Sequence, residues 1–202
     1  MTAFDAGDGP SGRRSRGPAA DERGVAVSVG PADYARLCVE AYVASRPAPA
    51  APADPLYDTV AACFCSLKKH GELRGCIGTL TPAEPSLGDE IARNAWAAAF
   101  RDPRFAPVTA AELPALTCSV DVLSPSEPCE RADLDPRRYG VIVAAGPRRG
   151  VLLPDLAGVD TVERQLAIAL QKAGIEPGSA YALERFTVRR FGEGAGCDVA
   201  CG

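Results

Sequence analysis

Two strand-like runs, Val60 to Leu67 and Leu73 to Leu80, flank Lys68-Lys69-His70-Gly71, a turn-forming tetrad. A β-hairpin is the arrangement this pattern predicts, and it constrains the rest of the chain. Side chains alternate across a strand, so a hairpin with apolar residues on one face needs other elements to bury that face. The chain supplies them. Leu116 to Ser124 places Leu116, Cys118, Val120 and Val122 on one face, Tyr139 to Ala145 and Gly150 to Leu153 flank Gly146-Pro147-Arg148-Arg149 as a second hairpin, and Tyr181 to Phe191 reads as a closing strand.

Three segments carry helical spacing instead. From Asp33 as N-cap, Tyr34, Leu37, Cys38, Ala41 and Tyr42 form one face that ends before Arg46-Pro47. Ser86 and Asp89 resemble a capping box, followed by Leu87, Ile91, Asn94, Ala95 and Ala98 up to Phe100. Asp160 and Glu163 suggest another, with the stripe Val162, Leu166, Ala169, Leu170 and a left-handed cap at Gly174. Hairpins with helices between them, and no repeated strand-helix-strand crossover, predict an α+β fold, mainly an antiparallel sheet with flanking helices. Residues 1–28 are rich in Gly, Pro, Ala, Arg and Asp and read as a disordered tail, residues 29–192 as one domain, and residues 193–202 as a flexible Gly-rich tail. Residues 47–55 alternate Pro and Ala in a stiff, extended linker.

The same reading excludes several functions. No run approaches the roughly 18 apolar residues of a membrane helix, and the acidic start lacks the basic segment of a signal peptide, so a cytoplasmic protein is expected. A formal net charge of -4 argues against a protein held on nucleic acid by phosphate contacts. There is no Gly-rich dinucleotide or phosphate loop, and no cofactor is expected. Eight cysteines in a reducing compartment read as free thiols, most of them small core residues.

The segment Phe64-Cys65-Ser66-Leu67 leading into Leu73-Arg74-Gly75-Cys76-Ile77-Gly78 resembles the signature of the AMMECR domain family, the protein A component of AmmeMemoRadiSam systems. Ala97-Ala98-Ala99-Phe100-Arg101-Asp102-Pro103-Arg104-Phe105, Glu112-Leu113, and Gly150-Val151-Leu152-Leu153-Pro154 with Gln171-Lys172-Ala173-Gly174-Ile175 match further family blocks in the same order. The resemblance implies a two-lobed α+β domain. It also implies co-occurrence with a Memo-type protein, related to non-haem-iron dioxygenases, and with a radical S-adenosylmethionine enzyme. It brings no settled activity. Cys63 and Cys65 stand where the family usually has apolar or β-branched residues.

Cys76 and Arg74 are the candidate catalytic pair. Only a thiolate attacks electrophiles, and a neighbouring cation favours it. An even-numbered turn would put Phe64, Leu73 and Ile77 on a core face and gather Cys63, Cys65, Arg74 and Cys76 on the other. With a four-residue turn at 68–71, Cys63 lies opposite Cys76 and Cys65 opposite Arg74, with Cβ atoms about 4.5–5.5 Å apart. Three converging thiols with His70 would suggest zinc or copper, but His70 lies in the turn, and no metal is assigned. Gly75 and Gly78 would admit another backbone or a ligand. Asp102 and Arg104 form a corner whose simplest role is an internal salt bridge, with Glu112 a further partner for Arg104, and Lys172 complements a helix dipole. Cys197 and Cys201 read as incidental exposed thiols. Two functions follow: an accessory or binding component presenting a Cys76/Arg74 pocket to a partner or small molecule, or an enzyme using Cys76 as nucleophile or thiol carrier on an anionic small molecule. A homodimer is compatible with either.

Overall fold

The computed structural model describes residues 29–176 and 178–194. The two tails, with Cys197 and Cys201, lie outside the described residues except for Glu193 and Gly194. The expected hairpin is β1 (Cys63–Lys69) and β2 (Glu72–Gly78), joined by His70-Gly71. Both turn residues have positive φ, 53° and 86°, as the tight two-residue hairpin turn requires. The turn is thus shorter than 68–71. Lys68 and Lys69 pair with Leu73 and Glu72 as strand residues, and the strand starts at Cys63 rather than Val60.

Chain order then runs α1 (Pro31–Val43) before this hairpin, and α2 (Leu87–Phe100), β3 (Leu116–Leu123), β4 (Glu127–Pro128), β5 (Gly140–Ala145), β6 (Arg148–Leu152), α3 (Val162–Ala173), β7 (Ala182–Phe186) and β8 (Val188–Gly192) after it. The predicted single sheet is two. One has the order β2-β1-β3-β8 and the other β4-β7-β5-β6, and every pairing is antiparallel. The run Tyr181 to Phe191 is therefore not one strand. It breaks at Thr187, where β7 leaves one sheet and β8 enters the other, beside the matching exit of β3 at Ser124; the two residues exchange backbone and hydroxyl bonds there, Ser124 N to Thr187 O at 3.0 Å and Thr187 N to Ser124 Oγ at 3.0 Å.

Lobe A contains the first sheet with α1 and α2, and lobe B the second with α3. Alternation decides which strand face each helix covers. Cys63, Cys65, Leu67, Cys118 and Val120 point into the lobe A core with Cys38, Val39, Leu87 and Ile91 of the helices. Val141, Val143 and Leu152 do the same in lobe B with Leu166 and Ala169. The opposite faces meet in a small joint of Ala62, Leu123, Ile142 and Phe186, against which Phe64 and Val151 pack.

Helix ends depart from prediction by a residue or two. α1 starts at Pro31, whose fixed φ suits the first turn, so Gly30 is the N-cap and Asp33 lies in the first turn. Its buried side is Ala32, Ala35, Cys38 and Val39, which leaves Leu37 44% exposed instead of in the core. α2 has the expected cap, Ser86 Oγ accepting from Asp89 N at 3.1 Å. α3 is capped by Thr161, whose hydroxyl accepts from Arg164 N, rather than by Asp160. Gly174 ends it in the left-handed conformation, φ 64°, as expected. The β5–β6 turn is Gly146-Pro147, so Arg148 and Arg149 belong to β6. No helix among the described residues is long and apolar enough to cross a membrane.

Candidate functional site

The signature strand β2 lies at the edge of lobe A's sheet, and its register fixes what the site is made of. Lys68 pairs with Leu73, but Leu67 pairs with Gly75, so Arg74 is an extra residue in β2, a β-bulge. One inserted residue swaps the faces of everything beyond it. Cys76 therefore pairs with Ser66, and Ile77 with Cys65. The predicted meeting of Cys63, Cys65, Arg74 and Cys76 does not occur: Cys63 and Cys65 are buried in the core, and Cys76 is on the outer face, half-buried, where Ser66 Oγ donates to its sulfur at 3.1 Å. The predicted pairings of Cys63 with Cys76 and Cys65 with Arg74 fail for the same reason. Among the described residues no group of three or more His, Cys, Asp or Glu side chains is placed to hold a metal ion.

Three of the core thiols, Cys38, Cys65 and Cys118, are held protonated. A hydrogen bond from the Cys65 thiol to Cys63, together with burial, pushes Cys65 well above its ordinary value. Burial raises Cys38 to about 11, and burial with the nearby Glu193 carboxylate pushes Cys118 higher still. These are packing residues, not nucleophiles.

Arg74 does not act on Cys76. Its Nε and Nη2 donate to the two carboxylate oxygens of Glu112 at 2.9 and 3.1 Å, and Nη2 also reaches the Ala106 carbonyl at 2.9 Å. Glu112, predicted as a partner of Arg104, instead takes Arg74 and Lys69, and it caps the 3-10 helix Ala110–Ala115 by accepting from Thr109 N. The Arg74 bond, aided by the Thr109 amide, holds the Glu112 carboxyl well below the usual range. The bulge residue is thereby clamped to the segment after α2.

The corner at Asp102 and Arg104 does form the internal salt bridge, Nη2 to Oδ2 at 2.6 Å. It does more than fix the corner. Asp102 Oδ2 accepts the Cys76 amide at 2.9 Å, and Arg104 Nη2 reaches the Cys76 carbonyl at 3.4 Å. The pair satisfies backbone groups that a neighbouring strand would otherwise take, which blocks the free edge of β2. The bond from Arg104, with those from the Cys76 and Arg104 amides, keeps the buried Asp102 carboxyl well below its ordinary value although burial opposes it.

Gly75 and Gly78 are close-approach positions, and the chain itself does the approaching. A Cβ on Gly75 would sit 2.2 Å from the Ala98 carbonyl oxygen of α2, and one on Gly78 would sit 2.3 Å from the Phe64 ring. Lys172 is in the last turn of α3, as its dipole role requires. His70 occupies the hairpin tip.

Sequence reasoning missed Ser66, the hydrogen-bond donor to the Cys76 sulfur, because it sits on the face that an unbulged hairpin would assign to the core. It also missed Phe105, whose ring lies 5.7 Å from the Arg74 guanidinium and 5.5 Å from that of Arg104. Glu90 was not singled out either, although it is fully buried and accepts from Thr79 Oγ1, Ala83 N, Glu84 N and Asn94 Nδ2, anchoring the loop after β2 to α2. Its helical position, one turn before Asn94, was the available signal.

Comparison with known proteins places this architecture. A protein of Thermotoga maritima is 52% identical over 141 residues, covering 68% of this chain and 81% of that protein. A protein of Clostridium acetobutylicum is 52% identical over 130 residues, 64% of this chain, and the match spans only 28% of that protein's length. The crystal structure of an uncharacterised protein from Pyrococcus horikoshii has a similar fold, with TM-score 0.73 and 30% identity, covering 81% of this chain and 90% of that one. The AMMECR1 family model matches residues 32–193, all but the outermost described residues, and the chain belongs to the AMMECR1 family.

Proposed function

We propose that this protein is a cytoplasmic accessory module of an AmmeMemoRadiSam-type system, which binds a Memo-type dioxygenase-like protein or a radical S-adenosylmethionine enzyme and presents its Cys76 face to them or to their small molecule. The observation that carries the reading is the internal use of the site's charges. Arg74 is spent on Glu112, and Asp102 on Arg104 and the Cys76 amide, so the charged groups of the signature brace β2. A general acid or base needs a proton-transferring group within reach of the reacting atom. The Clostridium acetobutylicum relative supports the same view, because most of that protein lies outside the match, as expected of a domain that works alongside another polypeptide.

The Ser66 bond to the Cys76 sulfur favours a second reading, in which Cys76 is a nucleophile or thiol carrier acting on an anionic small molecule. Capture of the purified partners by the tagged full chain, with wild type and Cys76→Ser side by side, separates the two. The accessory reading expects capture by both forms and in-cell function of the system with either. No capture by wild type sinks it, and capture with complete loss of in-cell function on Cys76→Ser moves the assignment to chemistry.

A further inference from the structure

α1 and α2 both pack on the inner face of lobe A's sheet, which leaves the outer face to Cys76, Ser66 and Ser119, side by side in register across β2, β1 and β3. Toward lobe B this face continues through Phe64 into the joint with Ile142 and Val151, so the side of lobe B's sheet that faces away from α3 borders the same opening. Arg149 and Glu184 stand on that side: Arg149 is two residues from Val151, and Glu184 is the cross-strand partner of Ile142.

The ion pairs of this opening share an orientation. Arg104 is 53% exposed over a 2% exposed Asp102, Arg190 is 46% exposed over an 11% exposed Asp121, and Arg149 is likewise the more exposed partner of Glu184. Lys68 on β1 is exposed on the same face. Elsewhere the order is mixed: in Arg36–Glu40, Arg131–Glu163 and Arg185–Glu127 the carboxylate is the more exposed group, whereas in Arg93–Glu84 and Lys69–Glu112 the cation is. A chain of net charge -4 thus turns cations outward around one open sheet face and keeps the matching carboxylates underneath.

Resting on the accessory reading, we propose that this open face is the docking surface for an acidic, extended segment of a partner protein, whose carboxylates meet Lys68, Arg104, Arg149 and Arg190 while its backbone crosses the small side chains of Ser66, Cys76 and Ser119. Complementary charge of this kind sets encounter rate and orientation and is screened by salt. Small side chains in the middle let an extended backbone lie close to the sheet.

The test is fluorescence anisotropy of a labelled oligoglutamate peptide with the full chain, at low and at moderate ionic strength. Wild type is compared with a face variant, Lys68→Gln/Arg149→Gln/Arg190→Gln, and with a control of equal charge change, Arg131→Gln/Arg137→Gln/Arg164→Gln. Lys68→Glu alone serves as a second face variant, because that side chain is exposed and makes no hydrogen bond or ion pair among the described residues. The expected result is salt-sensitive binding that falls about tenfold or more in the face variant, on the order of 1.4 kcal/mol, and is nearly unchanged in the control. No binding by wild type, equal loss in both triple variants, no loss with Lys68→Glu, or tighter binding of a single-stranded RNA of similar charge would each overturn the proposal. The partner-capture experiment distinguishes its failure from that of the accessory reading. Capture that survives the face variant removes the docking face alone, and absence of capture by wild type removes the reading beneath it.

Discussion

Lobe A and lobe B solve the same packing problem in the same way and treat charge differently. In each, a helix is seated directly on a glycine of an edge strand. Gly75 of β2 faces the Ala98 carbonyl of α2, and Gly150 of β6 faces the Ala169 carbonyl of α3, where an added Cβ would come within 2.2 and 2.0 Å of the oxygen. In lobe A several carboxylates then turn inward. Asp102 and Glu90 are buried, and Glu112 and Arg74 are nearly so. In lobe B the ion pairs Arg131–Glu163 and Arg185–Glu127 have their carboxylates exposed to solvent. Close helix–sheet contact requires no buried charge. The buried carboxylates of lobe A serve the irregular segments, namely the bulge, the corner and the loop after β2, whose backbone groups lack strand partners.

The shared feature is the largest effect to test. Gly75→Ala and Gly150→Ala should each cost about 3 kcal/mol, since a helix backbone, unlike a side-chain tip, cannot move aside locally. Thermal melts followed by circular dichroism should show both midpoints falling by roughly 6–12 °C for a chain of this size. A neutral Gly150→Ala would break the parallel between the lobes.

The difference in charge predicts the next effect. Asp102→Ala removes the acceptor of the Cys76 amide and leaves Arg104 unpaired, and should cost about 2 kcal/mol by urea unfolding, whereas Glu184→Gln in lobe B should cost less than about 0.5 kcal/mol. Equal costs would mean that burial does not separate the two.

Acid should act through lobe A. Asp102 and Glu112 have folded-state values held below those of the unfolded chain, so their stabilisation is complete above the unfolded values of about 4 and is lost as pH falls below them toward the folded ones. The single tryptophan, Trp96 on α2, reports this lobe. Its urea midpoint should stay flat from neutral pH down to about 5 and decline below about 4, with a shallower decline in Glu112→Gln, which starts from a lower stability. An identical acid slope in that variant would remove Glu112 from the account.

The smallest effect concerns reactivity. Native protein treated with iodoacetamide should be modified at Cys76 before Cys38, Cys63, Cys65 or Cys118, because only the first of these stands outside the core. Peptide mapping that finds Cys65 labelled first would overturn the register of β2.

Much of the fold was readable in the chain because hydrophobic period and local cap chemistry agree. The alternation at Leu116, Cys118, Val120 and Val122, the cap at Ser86 and the left-handed Gly174 all hold. What failed was non-local. Nothing in Tyr181 to Phe191 marks the change of sheet at Thr187, which depends on pairing with strands far away in sequence. The candidate site shows this most clearly: its residues lie where the signature places them, but one bulge residue, Arg74, reverses the face of Cys76 and dissolves the predicted thiol cluster. Gly75 carried a hint, since a glycine inside a strand often accompanies a bulge, but it also fits the close helix contact that the structure shows.

The crossing at Ser124 and Thr187 has a consequence for how the gene can be cut. Lobe B is an insertion whose two ends emerge side by side from paired strands, Leu123 opposite Val188. A short turn joining those two residues would close β3 and β8 into an ordinary hairpin without altering the order of lobe A's sheet. The whole of lobe B is therefore a cassette bounded by two junctions that lie far apart in the chain and side by side in space.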